Sequence, residues 1–390
     1  MPGSPTHRAV TVSSASPSNS PTSGPTADSD PLAPRLVDEA ECVASVLLAI
    51  LVAHHIGATH VSWAAFTGYM VMRGYPLETL RRALLRIIGT ALGALACLGV
   101  LESPLGGNMV VLALAMALAG TVSLYGAITG RHAYAWLFLG LTFAMMLYDR
   151  VAMPLADPRV FAVMRMIETL AGTAACMAVS LASAWTLRRR WPAIRAPKPQ
   201  GVGWRPDALL HGARGGLALA LLLGLATLWD LPSLVSGAIT IMAVMLIPVT
   251  AVDGPNGLRQ VSRRLWYRLL GCLAGGALAA LVLGLAALLH GPARAALMLA
   301  GTAMGVALGR HLENGNHGRG YVGTQFTLAV LVVLVPDSWE AAHIAPGFDR
   351  LVGILVGMAV LEPVLLLGAA LSRVRTAIVP ANQRSEAGGV

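Results

Sequence analysis

Twelve runs of apolar residues, separated by short polar gaps, limit the folds open to this 390-residue chain. The chain is 56% hydrophobic and only 12% charged, whereas soluble domains are about 25% charged. A water-soluble core cannot bury so much apolar surface. We therefore predict an all-α polytopic membrane protein with about twelve transmembrane helices. The runs lie at 42–56, 58–72, 84–101, 109–126, 133–149, 163–187, 214–230, 233–251, 269–289, 293–309, 321–336 and 347–371.

The first two runs are short for a membrane span, which needs about 20 residues. They either include their flanks or pair as a shallow hairpin that turns at Gly57.

One motif, R-R-x-x-x-R-x-x-G-x-x-x-G, occurs at 81–93 and again at 263–275. Duplication near half the chain length predicts two tandem repeats of six helices each. Because six is even, both repeats have the same orientation, related by a pseudo-twofold axis along the membrane normal. Two weaker matches support the repeat: V-S-W-A at 61–64 with V-S-G-A at 235–238, and Arg165-x6-Gly172 with Arg350-x6-Gly357.

These patterns predict five segments along the chain. Residues 1–35 are rich in Ser, Pro and Thr and lack the apolar core of a signal peptide, so we expect a disordered cytoplasmic tail. A first membrane repeat at 36–187, a cytoplasmic linker at 188–213, a second repeat at 214–372 and a cytoplasmic tail at 373–390 follow.

The basic residues predict the orientation. With both termini in the cytoplasm, only five of the 28 Lys and Arg residues fall on the outer side, namely Arg150, Arg159, Arg165, Arg294 and Arg350. This is a strong positive-inside signal, and it places the chain in a cell membrane as a multi-pass protein. It also accounts for the net charge of +9, so we expect the lipid bilayer, and no nucleic acid, as the partner of these charges.

Four arginines form the predicted anion site. Arg86 and Arg268 end the arginine part of the motif at the edge of an apolar segment, while Arg165 and Arg350 begin helices on the outer side. A charge at the centre of a spanning helix costs about 2.5–3.5 kcal/mol on insertion scales, and guanidinium groups bind carboxylates bidentately. We therefore predict that these four bind substrate; the alternative is that they anchor the helices by reaching towards lipid headgroups.

Other polar and small residues receive more general roles. Glu168, Glu362 and Asp230 are intramembrane carboxyls and so candidates for proton coupling. The GxxxG pairs Gly89/Gly93 and Gly271/Gly275 predict close helix packing. No phosphate-binding loop, nucleophile elbow or CxxC pair is present, so we expect no enzyme activity, no cofactor and no metal.

The stretch from Trp63 to Cys97 resembles the fusaric acid resistance (FUSC) and aromatic acid exporter family, and the related plant aluminium-activated malate transporters. The resemblance is carried by three groups of residues: Trp63, Ala64 and Thr67; Thr79 and Leu80; and Arg86, Gly89, Thr90 and Gly93. Arg165, Thr169 and Gly172 resemble a further family pattern. The second repeat departs from it, with Cys272 for the threonine and Gly237 for the tryptophan.

The resemblance implies transport of organic anions, with arginines at the places of Arg86 and Arg165 on the anion path and Arg268 and Arg350 as their repeat mates. We therefore expect a bacterial inner-membrane exporter of small aromatic carboxylic acids, coupled to protons. A periplasmic adaptor protein and a homo-oligomer are possible partners. The alternatives are a passive organic-anion channel and a membrane scaffold that transports nothing.

Overall fold

Helices make up the regular structure of the residues that this computed structural model describes, which are 32–193, 201–229, 234–252, 255–315, 318–337 and 342–386. These residues form thirteen α-helices, one short 3-10 turn at Val249–Ala251 and no strand. The α-helices are α1 Leu32–His55, α2 Val61–Val71, α3 Pro76–Leu101, α4 Met109–Thr129, α5 Ala133–Ala152, α6 Pro158–Trp185, α7 Leu187–Arg190, α8 Pro206–Leu228, α9 Leu234–Val244, α10 Pro255–Ala286, α11 Gly291–Glu313, α12 Gly320–Leu334 and α13 Ala345–Glu386.

Eight of the described helices are long and apolar enough to cross a membrane: α3, α4, α5, α6, α8, α10, α11 and α13. The chain is therefore a multi-pass membrane protein. The predicted twelve spans are not all of full length, however. Helices α2 and α9 have 11 residues each and α12 has 15, and an 11-residue helix rises about 16 Å against a hydrocarbon core of about 30 Å.

Proline explains why two apolar runs yield such short helices. Helix α2 ends at Val71, five residues before the proline that opens α3, and Met72 is already extended (φ −54°, ψ 130°). Helix α9 ends at Val244, shortly before Pro248. The backbone that follows each short helix is covered by protein, since Met72 and Met245 are fully buried. Non-helical backbone at membrane depth is tolerated in such a setting.

Three boundaries differ from the sequence predictions. Helix α1 begins at Leu32, inside the predicted tail, and is 24 residues long. The predicted linker begins with the short helix α7. Helix α13 continues to Glu386, past the predicted end of the second repeat at residue 372. The chain does turn at Gly57, where φ is +67°.

Helices α3 to α6 form an up-and-down series. Their connections, residues 102–108, 130–132 and 153–157, are short, and short connections join antiparallel neighbours. Two of the helix starts are capped: Asn108 Oδ1 accepts a hydrogen bond from the Val110 amide, and Asp157 Oδ1 accepts one from the Arg159 amide, both at 2.9 Å. Because successive helices of this series alternate in direction, α3 and α6 begin at opposite ends of the bundle.

Glycines let two helix pairs approach closely. At Gly89 and Gly93 of α3, an added Cβ would lie closer than 3.0 Å to backbone carbonyl oxygens of α5. At Gly271 and Gly275 of α10, it would lie equally close to carbonyl oxygens of α12. This spacing brings the arginine side chains of α3 and α10 directly against the facing helices.

A buried ionic cluster joins α1 to distant parts of the chain. The Asp38 carboxylate lies 2.6 Å from Nε of Arg310 on α11, and the Glu41 carboxylate lies 2.6 Å from Nη2 of Arg188 on α7. Because all four side chains are less than one fifth exposed, losing one partner would leave a buried charge unpaired. The first helix is thus attached to the second half of the chain.

Candidate functional site

Arg86 and Arg165 line one small cavity in the first half of the protein. The cavity has a volume of about 50 Å³ and lies among α2, α3, α5 and α6, with Ile239 of α9 closing one side. Arg86 is 4% exposed and Arg165 is 8% exposed. Arg86 is the eleventh residue of α3 and Arg165 the eighth of α6, so they lie about 15 Å and 10 Å along helices that start at opposite ends.

Aromatic rings face both guanidinium groups. The Cζ atom of Arg86 lies 3.8 Å from the centroid of the Phe138 ring. The Cζ atom of Arg165 lies 4.0 Å from the Trp63 ring and 4.9 Å from the Phe161 ring. A desolvated cation–π contact contributes about 2 kcal/mol, which is comparable to the cost of placing an arginine in a membrane. The rings thus stabilise the buried cations without neutralising them.

The cavity carries more positive than negative charge. Arg165 donates to Glu168 Oε2 at 3.0 Å, and Glu168 Oε1 accepts from the His60 amide at 3.1 Å. Arg86 has one long hydrogen bond, 3.4 Å to the Tyr134 hydroxyl. Among the described residues, neither the Nε of Arg86 nor that of Arg165 has a hydrogen-bond partner. Two guanidinium groups and one carboxylate leave an excess of one positive charge at the cavity, and buried charges are normally paired.

A larger vestibule adjoins this cavity. It has a volume of about 310 Å³ and shares Arg165 and Glu168 with the small cavity. Its other walls come from the start of α6, the end of α5 and the turn before α2, including Asp149, Phe161 and His60. Arg165 and Glu168 therefore stand between a roomy outer chamber and the inner cavity that holds Arg86.

The other two predicted arginines meet each other elsewhere. Arg268 is 1% exposed and Arg350 is 7% exposed, and neither lines the two cavities described above. Arg268 Nη1 donates to Gln325 Oε1 at 2.6 Å, and its Nε donates to the Thr240 hydroxyl at 3.1 Å. Arg350 Nη2 reaches the same Gln325 oxygen at 3.5 Å. The four predicted arginines thus lie in two separate pairs rather than in a single site.

The predicted coupling residues differ in position. Glu168 is 1% exposed and lies in the site. Glu362 is half-buried on α13 and lines neither cavity. Asp230 lies outside the described residues.

Sequence reasoning missed the aromatic partners on α5 and Gln325 on α12. A signal for them was present: Tyr134 and Phe138 are four residues apart, as are Arg82 and Arg86, and residues so spaced share a helix face. The Arg82 Cζ atom lies 4.2 Å from the Tyr134 ring centroid. The two arginines of α3 therefore face the two rings of α5 in register.

Metal-binding side chains do not cluster within the described parts of the chain, where we find no group of three His, Cys, Asp or Glu suited to a metal ion. The four cysteines are buried free thiols.

Comparison with known proteins gives one match. Residues 48–179 match the family model of fusaric acid resistance protein-like proteins. No curated protein and no solved structure shows significant similarity to the chain. The matched segment contains Trp63, Arg86, Phe138, Arg165 and Glu168, and so the whole polar part of the small cavity. Over these residues, about a third of the chain, the protein is similar to the fusaric acid resistance protein-like family.

Proposed function

We propose that this protein transports small aromatic carboxylic acids across the bacterial inner membrane, with the substrate carboxylate held by Arg86 and Arg165. One observation carries the proposal: two nearly fully buried guanidinium groups, reaching in from opposite ends of the bundle, share a cavity and keep unpartnered N–H donors. Buried charges are normally paired, and a carboxylate is the partner that guanidinium binds bidentately.

The cavity sizes support binding in two stages. A cavity of roughly 150 Å³ holds benzene. The vestibule, at about 310 Å³, therefore has room for a whole aromatic acid, whereas the inner cavity, at about 50 Å³, has room for little more than a carboxylate group. We infer that this is a closed conformation, in which side chains or helices must move before a ring can pass Arg165 and reach Arg86.

Aromatic surfaces favour an aromatic substrate. Trp63 and Phe161 flank Arg165, and Phe161 also lines the vestibule. An aromatic ring beside them gains stacking or edge-to-face contacts of about 0.5–1.5 kcal/mol per pair beyond its buried area. An aliphatic acid lacks this gain.

Glu168 is the carboxyl that we propose for proton coupling. It shares Arg165 with the incoming carboxylate, so the protonation state of Glu168 changes how strongly Arg165 can hold the substrate. Its neighbours on the other packed elements are His60, before α2, and Asp337, after α12, which lie 3.5 Å apart; Asp149 of α5 lines the vestibule. We also propose that the protein exports its substrate and has both termini in the cytoplasm. Its proposed protein partners are a periplasmic adaptor and further copies of the chain.

We also propose that the two halves are tandem repeats. Gly172 packs against Thr67, and Gly357 packs against Thr240 in the same way. These contacts pair Thr67 with Thr240, which shifts the alignment by one residue from the V-S-x-A match and puts Ser236, not Gly237, at the position of Trp63.

The test is efflux of radiolabelled benzoate from proteoliposomes across which a pH gradient is imposed, with empty liposomes as the measure of leakage. We expect protein-dependent efflux that a protonophore slows by removing the proton gradient. If efflux follows only the gradient of benzoate itself and the protonophore has no effect, the protein is a channel. If efflux never exceeds leakage for any of a panel of aromatic acids, the transport proposal is wrong and a scaffold role is favoured.

A further inference from the structure

We infer that Gln325 closes the second arginine pair to substrate, so that only the Arg86–Arg165 cavity serves transport. The inference rests on the proposed function and the proposed tandem repeat, and it goes beyond them by assigning unequal roles to two halves that share the same arginines.

Phe138 and Gln325 occupy equivalent positions. A Cβ added at Gly89 would meet Phe138 Cβ at 3.0 Å, and one added at Gly271 would meet Gln325 Cβ at 2.8 Å. One turn earlier, the same helices match again: Arg82 lies over Tyr134 at 4.2 Å, and Arg264 lies over Tyr321 at 5.0 Å. The two halves therefore make equivalent contacts between these helices, and they differ where the first has Phe138 and the second has Gln325.

The divergence changes what the arginine can bind. The Phe138 ring offers Arg86 a π face but no hydrogen-bond acceptor, and the Nε of Arg86, like the Nη2 of Arg268, has no hydrogen-bond partner among the described residues. The Gln325 carbonyl oxygen accepts from Arg268 at 2.6 Å and lies 3.5 Å from Nη2 of Arg350. It stands between two guanidinium groups, where a carboxylate oxygen would otherwise bind. A substrate must displace this built-in acceptor and leave it unpaired, which is unfavourable in a buried site.

The second arginine pair also differs from the first in its surroundings. Arg268 is 1% exposed, and Gln325 and Cys272 are each 2% exposed. Cys272 Sγ lies 3.5 Å from Arg350 Nε. The position of Glu168 is taken by Gly353 in the second half, at the same spacing from Arg350 as Glu168 has from Arg165. The second pair therefore has no equivalent of the carboxyl that we propose for coupling.

Two matched thiols test the inference without a transport assay. Cys272 is a native thiol in the second site, and Thr90, its repeat mate at an offset of 182, lines the small cavity of the first. We would expose the protein in detergent to 2-sulfonatoethyl methanethiosulfonate, a small anionic reagent. A cysteine thiolate attacks its sulfenyl sulfur, a mixed disulfide forms and methanesulfinate leaves. Peptide mass spectrometry then gives the rate at each position.

The expected result is rapid modification of the thiol in Thr90→Cys and at least tenfold slower modification of Cys272. In Gln325→Ala, Cys272 should react at least tenfold faster than with glutamine present. In Gln325→Glu, which keeps an oxygen at the same place, it should stay protected. An unchanged elution volume and an unchanged rate for Thr90→Cys in the Gln325→Ala background show that the fold is retained.

Two outcomes would overturn the inference. In one, Cys272 reacts within threefold of Thr90→Cys while Gln325 is intact. In the other, Cys272 stays unreactive in Gln325→Ala. A separate arm tests the proposed function: benzoate should slow the modification of Thr90→Cys. If it does not, benzoate does not bind at the first site, whatever the result at Cys272.

Discussion

Replacing Arg86 by alanine is the sharpest test of the anion site, because its loss removes fewer other interactions than the loss of Arg165. It has one hydrogen bond, 3.4 Å to Tyr134, and a ring contact with Phe138. No carboxylate is paired with it in the described structure. Arg86→Ala therefore removes a cation without leaving a buried carboxylate unpaired. By contrast, removing Arg165 would leave Glu168, which is 1% exposed, without its cation.

The magnitude follows from the lost interactions. A hydrogen bond to a charged group contributes about 1.5–3 kcal/mol, and about 1.4 kcal/mol corresponds to a factor of ten in Kd. We expect Arg86→Ala to raise the Kd for benzoate about 10- to 150-fold. The lost ring contact, about 2 kcal/mol when desolvated, is offset by no longer burying a charge. The thermal unfolding midpoint should therefore stay close to that of the wild type.

Isothermal titration calorimetry of the detergent-solubilised protein measures this Kd. Arg81→Ala is the matched control, since Arg81 belongs to the same motif but does not line the cavity; its Kd should stay within twofold of wild type. Arg86→Lys should give an intermediate Kd, because lysine keeps the charge but not the planar fork. A wild-type Kd in Arg86→Ala, with the protein folded, would falsify the assignment of the carboxylate to this cavity.

Three further predictions concern stability and coupling. Arg165→Ala should lower the free energy of unfolding by about 3–5 kcal/mol, and adding Glu168→Gln should restore most of it in chemical denaturation; equal loss in the double variant would show that the ion pair is not the cause. Gly89→Ala should destabilise by about 1–3 kcal/mol through overpacking. Gly99→Ala, on the same helix with no atom within 4 Å of the new Cβ, should leave the thermal unfolding midpoint unchanged or raise it slightly, because alanine is favoured over glycine in a helix; similar midpoints for the two variants would contradict the close packing. Glu168→Gln should abolish the acceleration of benzoate efflux by an imposed pH gradient, and Glu362→Gln should preserve it; the reverse pattern would move the coupling site to α13.

Much of the fold could be predicted from apolar runs, because a lipid environment requires long apolar helices with internally satisfied backbones. The predicted runs each correspond to a helix, and the turn at Gly57 is present. Helix length was less predictable. Apolar composition continues past the ends of α2 and α9, so composition does not show where a proline and the surrounding protein end the helix.

The candidate site was predictable only in part, for a similar reason. The duplicated motif and the isolated outer arginines indicated Arg86, Arg165, Arg268 and Arg350, since charge in an apolar segment is conspicuous. Their partners on α5 and α12 carry no charge, and the spacing of Tyr134 and Phe138 does not by itself show which helix they face. Only when α3 lies on α5, and α10 on α12, do Phe138 and Gln325 acquire a role.

By itself, the sequence determined that this chain is a membrane protein and that an arginine-rich motif occurs in it twice. It also identified the arginines that are costly to bury. Those conclusions depend on local composition and on spacing along single helices. The tertiary structure alone decided which arginines lie together and which of them face aromatic rings and a cavity. It also decided which arginines already donate to the side-chain oxygen of Gln325. These properties depend on contacts between helices that are distant in sequence, and two identical motifs can therefore end in two different sites.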